Sequence, residues 1–131
     1  MFFIKHFCVL AIACSITSVY CRSNIAKTEK DSADYYLAQA VEAMHSNKYA
    51  ITFDYAHKLI SYAERHKKNT GMIKGYNLLA YCYHHNRKFK EAKIYYKKAL
   101  KTAHITEGNA ALLPMIYNNL GIIAYEMGDY D

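Results

Sequence analysis

The sequence predicts an all-α protein, an antiparallel helix-hairpin solenoid of about two and a half repeats behind an N-terminal signal segment. Three observations carry that expectation. Tyr36, Tyr76 and Tyr117 open three similar segments spaced 40 and 41 residues apart. A small residue follows each by four positions (Ala40, Ala80, Gly121), and another aromatic by thirteen (Tyr49, Phe89, Tyr130). Low proline and glycine, with many Ala, Tyr, Leu and Lys, favour helices over sheet. A fixed period of this size marks stacked supersecondary units rather than one closed globule.

Residues 1–21 read as a signal peptide. Lys5 and His6 precede an apolar run over 7–16, and small and polar residues follow, the order of a secretory signal. The run is short of the roughly 20 residues a bilayer span needs. Export to the periplasm or cell envelope follows as an expectation. Cleavage after Cys21 competes with lipidation at Cys14, because Leu10-Ala11-Ile12-Ala13-Cys14 resembles a loose bacterial lipobox. Membrane association would come through that lipid or through an uncleaved signal anchor. Three of the four cysteines fall in the leader, so Cys82 stands alone in the repeats and no disulfide framework is expected. Residues 22–30 form a polar linker, and organisation starts at 31.

In 31–131 the repeats lie near 33–72, 73–113 and 114–131, the last incomplete. Within the second, Tyr76, Leu79, Ala80 and Tyr83 recur at steps of three and four, one face of a helix. A break at His85–Lys88 precedes a second stripe of Phe89, Ala92, Tyr96, Ala99 and Leu100, completing a helical hairpin. In the first repeat Tyr36, Ala40, Ala43 and Tyr49 fit the pattern, but Gln39 and Thr52 depart from it; its second helix, roughly 49–67, carries Phe53, Ala56, Ile60 and Ala63. Ala80 and Gly121 are expected to let the paired helix approach closely. The face holding Leu120, Ile123 and Ala124 is expected to lack its partner, so the chain reads as an N-terminal piece of a longer repeat protein.

The stretch YNLLAYCYHHNRKFKEAKIYYKKAL and the later YNNLGIIAYEMGDYD resemble the tetratricopeptide repeat along their length. The resemblance covers about 100 residues. The spacing exceeds the family's usual 34 by six or seven, so helices or connections must be longer. The resemblance implies a protein or peptide partner, held by a concave groove that the first helix of each pair lines. Facing it would be Lys74, Asn77, Tyr81, His84, Asn118, Ile122 and Tyr125, with Leu37, Val41 and Met44 extending the wall. Asn77 and Asn118 fall at equivalent places and could bond an extended peptide's backbone. Lys90, Lys93, Lys97 and Lys101 would lie on the convex side, on a solvated outer face. A leader joined to long repeats resembles sensory regions of bacterial membrane-associated regulators, which makes a sensory segment the alternative reading.

No catalytic constellation is present: no Gly-rich phosphate loop, nucleophile elbow or paired carboxylates with a matching base, and no cofactor is implied. From Arg65 to Lys101 eleven Lys and Arg meet one acid, Glu91; from Thr102 onward there are four acids and no Lys or Arg. Such a field attracts anions, but the export signal argues against nucleic acid as a partner. Cys82 and His85, with His84 and His45 nearby in the pattern, could share a metal ion in a metal-binding envelope protein. They fall short of the three or four ligands a zinc site needs, so no metal site is assigned.

Overall fold

The structure, a computed structural model, describes residues 32–129. The leader, the linker, Cys14, Tyr130 and Asp131 lie outside the described residues. Five helices follow one another: α1 (Ala33–His45), α2 (Tyr49–Arg65), α3 (Asn69–His85), α4 (Phe89–His104) and α5 (Leu113–Met127), the last led by a 3-10 turn over Ala110–Leu112. No strand occurs among the described residues. The expected all-α hairpin architecture is what forms.

Local chemistry explains the ends. Ser32 caps α1 by accepting a hydrogen bond from the Tyr35 amide at 3.1 Å, and Asp34 sits in the first turn, where the helix dipole favours a carboxylate. Pro114 sits at the start of α5, where its missing N–H is one that a helix leaves unbonded anyway. The turns after α1, α2 and α3 share one construction. Asn47, Lys67 and Arg87 take positive φ of 56°, 53° and 58°. The amides of Lys48, Lys68 and Lys88 then reach back to the carbonyls of Ala43, Ala63 and Tyr83 at 2.8, 2.8 and 2.9 Å. This 6→1 bond satisfies a carbonyl the helix end would orphan, and it reverses the chain in three residues. The added length over a 34-residue repeat sits partly in the helices, which reach 17 residues in α2 and α3, and partly in the longer connection over 105–112.

Consecutive helices pack on one another, and α1 also touches α3. Ala40, Ala56, Leu59, Ile60, Leu78 and Leu79 form the core of α1, α2 and α3. Ile73, Ala99, Ala103 and Ile116, with Ala80, Ala92, Tyr96 and Ile123, form that of α3, α4 and α5. Each fully buried Leu or Ile contributes about 1.5–3 kcal/mol relative to exposure. Alanines alternate with large side chains, which is how close-packed interiors interdigitate. Thr52, the departure noted in the first repeat, is buried and turns its hydroxyl to the Lys48 carbonyl at 3.2 Å, so no polar atom is left unmatched.

Two packing expectations are corrected. Among the described residues Gly121 makes no close approach: a Cβ built there meets nothing within 4 Å. The close approach belongs to Gly71 and Gly75 on α3. A Cβ at Gly71 would lie 2.9 Å from the Ala63 Cβ, and one at Gly75 would lie 2.5 Å from the Ile60 Cγ1. Two glycines four apart thus let α2 and α3 meet backbone to side chain. Likewise Leu120 and Ile123 are not without a partner. Ile123 is fully buried among Ala80, Ala92 and Tyr96, and Leu120 packs on the same core. The exposed apolar residues of α5 are Met115, Tyr117, Ile122, Tyr125 and Met127, on its other faces.

Candidate functional site

Four of the sequence-predicted groove residues share a face of α3. Lys74, Asn77, Tyr81 and His84 step by three and four, and all are half-buried. The remaining three lie on α5 and are exposed: Asn118, Ile122 at 40% and Tyr125 at 71%. Leu37, Val41 and Met44 on α1 lean partly into the α1–α3 core rather than standing open.

A polar contact joins α3 and α5 beside these residues. The Asn77 carbonyl oxygen accepts from the Asn119 Nδ2 at 3.1 Å, and the Asn77 Nδ2 approaches the Met115 sulfur at 3.8 Å. The amide partner of Asn77 is therefore Asn119, while Asn118 stays exposed. Register explains the difference, because one residue turns a helix position through about 100°. Asn77 already spends its carbonyl on α5, which leaves Asn118 as the amide open to a ligand backbone. Sequence reading missed Asn119 and Met115. The available signal was Met115 falling 41 residues after Lys74, the same step that relates Asn77 to Asn118.

The far end of the α3 face is aromatic. Tyr81 lies 4.3 Å from the His85 ring and 6.2 Å from the Tyr49 ring, and His85 stacks on Tyr49 at 4.8 Å and 18°. His84 sits 5.8 Å from the Phe89 ring. Partial desolvation against the Tyr49 and Tyr81 rings first, then the neighbouring His84, holds the otherwise exposed His85 below its ordinary value of 6.5, favouring the neutral ring. Burial also raises the Tyr81 hydroxyl.

Cys82 does not join this face. Its side chain is buried and donates to the Tyr49 carbonyl at 3.6 Å, and burial pushes the thiol up to about 11. A thiol so held is protonated and poorly suited to ligate metal or act as a nucleophile. Among the described residues no group of three His, Cys, Asp or Glu comes together to hold a metal ion. On α4, Lys90, Lys97 and Lys101 are exposed as expected, while Lys93 is half-buried and pairs with Asp129 beyond α5. That pair ties the cationic middle of the chain to its acidic end.

Helical hairpins joined by tight turns, with small residues facing large ones across each interface, define a helical-repeat protein. Residues 71–131 match the Tetratricopeptide repeat family. That span carries tetratricopeptide repeats, and the first hairpin, which lies wholly before it, repeats the same turn and core construction. No curated protein and no solved structure matches the chain. Proteins of this family are generally interaction scaffolds that bind proteins or peptides.

Proposed function

We propose that this chain is an exported, non-catalytic scaffold that holds a protein or peptide segment along the face shared by α3 and α5. The observation that carries the reading is the Asn77–Asn119 bond, which sets the two helices side by side. Lys74, Tyr81 and His84 lie along one face of α3, and Asn118, Ile122 and Tyr125 are exposed on α5. An exposed tyrosine and isoleucine beside an amide provide what an extended or helical peptide needs: apolar anchors and a backbone partner. The leader sequence supports export, and the absence of an assembled catalytic set in the sequence supports a binding role.

The test selects a peptide ligand from a random display library with the purified chain, then measures its affinity for variants. Tyr125→Ala and Ile122→Ser are expected to weaken binding at least about tenfold, the size of a lost interface anchor. Lys97→Ala, on the outer face, is expected to bind as the parent does. Equal affinity in all three variants would move the site elsewhere.

A further inference from the structure

The link from α4 to α5 breaks the rhythm of the repeats. The earlier connections span residues 46–48, 66–68 and 86–88, whereas residues 105–112 separate α4 from α5. This longer link is pinned across the first turn of α3. Asn69 Nδ2 donates to the Thr106 hydroxyl at 2.9 Å, and the Thr70 hydroxyl donates to the Asn109 carbonyl oxygen at 2.8 Å. Asn109 is itself buried. Held there, the link walls a cleft of about 400 Å³ between the N-terminal ends of α1 and α3. That volume is in the range of small-molecule sites.

The cleft's lining is chemically uneven. Leu37 contributes apolar surface, with the fully buried Leu59 beneath it. Three lysines, Lys67, Lys68 and Lys74, and two acids, Asp34 and Glu107, also line the cleft. None of the five is ion-paired: the pairs among the described residues are Lys58 with Asp54 and Lys93 with Asp129. Opposite charges that reach one another elsewhere in this chain do pair, so here the lining keeps both signs apart. A simple anion would gain the lysines but meet Asp34 and Glu107 as like charge, and a simple cation the reverse. A ligand carrying both charges a few ångströms apart satisfies both sets.

We propose that this cleft binds a small zwitterion of dipeptide size. Its carboxylate lies among Lys67, Lys68 and Lys74, its ammonium by Asp34 and Glu107, and an apolar side chain over Leu37. The site shares Lys74 with the α3–α5 face but does not depend on that face taking a longer peptide.

The test titrates the full chain with free alanyl-leucine, its N-acetylated form and its C-terminal amide, followed by amide chemical shifts. The free dipeptide is expected to saturate and to shift amides near Gly71 and Asn109. Each blocked form is expected to bind at least about tenfold more weakly, as loss of one charge-assisted contact set requires. Asp34→Asn and Lys74→Ala are expected to weaken the free dipeptide by a similar factor. Ile122→Ser, which tests the α3–α5 face, leaves the dipeptide affinity unchanged, so the two readings fail separately. An acetylated form that binds as tightly as the free dipeptide would overturn the proposal in favour of a simple anion site. Absence of saturable binding by the free dipeptide, or shifts confined to α5, would overturn it outright.

Discussion

Two glycines in this chain should respond to the same substitution with opposite signs. Alanine is favoured over glycine in a helix interior by about 0.5–1 kcal/mol. At Gly121 nothing among the described residues lies within 4 Å of the new methyl, so Gly121→Ala should realise that gain in full. At Gly75 the methyl would fall 2.5 Å from Ile60 Cγ1 and 3.3 Å from the Ala56 carbonyl oxygen. Ile60 is buried at 7% exposure, and a β-branched side chain in a helix has little choice of χ1, so the clash cannot be relieved by a simple rotation. The carbonyl moves only if α2 moves. Overpacking of this kind costs about 1–3 kcal/mol, which exceeds the propensity gain and leaves Gly75→Ala destabilised by up to about 2 kcal/mol. For a helical unit of this size each kcal/mol shifts Tm by about 4–8 °C. Thermal melts and urea titrations of the full chain, followed by far-ultraviolet circular dichroism, should show Gly121→Ala melting higher than the parent and Gly75→Ala lower. If both variants melted higher by a similar margin, the close approach of α2 and α3 would be refuted.

Three further outcomes follow. Lys67→Gly should stabilise by about 0.5–1 kcal/mol, since a non-glycine residue at positive φ carries a cost of about that size; Arg87→Gly should gain less, because Arg87 also lies 5.5 Å over the Phe89 ring, and melts of the two would reveal the order. His85 has its folded pKa depressed, so the unfolded chain binds the proton more readily: its contribution to stability is present above about 6.5 and declines as pH falls below that. Tm should accordingly drop between pH 7.5 and 5.5, and His85→Asn should flatten that profile. Cys82 should react with a thiol reagent at pH 8 only as fast as the fold opens, because the thiol is buried and raised to about 11; brisk labelling under native conditions would contradict its placement.

The helices were legible because each announces itself by apolar residues at steps of three and four. The α4 stripe of Ala92, Tyr96 and Ala99 is buried as the pattern required. The turns were legible only as polar breaks. Their left-handed residues are Asn47, Lys67 and Arg87, and nothing about lysine or arginine signals positive φ. The glycines misled for a related reason: a missing side chain does not say whether another chain fills the space. Gly121, in an expected close-packing place, meets no neighbour among the described residues, while Gly71 and Gly75 carry the contact. On α5 the period aligns Asn77 with Asn118, whereas its hydrogen-bond partner is Asn119. Asn118 and Asn119 are equivalent as letters, and only the helix phase decides which one reaches Asn77. The cleft beside Lys74 was not legible at all. It depends on hydrogen bonds between residues 37 and 39 positions apart, formed by a link longer than the other connections.

The face shared by α3 and α5 is tested most directly by mapping a selected peptide onto the full chain by amide chemical-shift titration. Shifts should cluster on Lys74, Asn77, Tyr81, His84, Asn118, Ile122 and Tyr125, with Lys90, Lys97 and Lys101 on α4 unmoved. Saturable shifts centred on those lysines, with the α3–α5 face silent, would contradict the account.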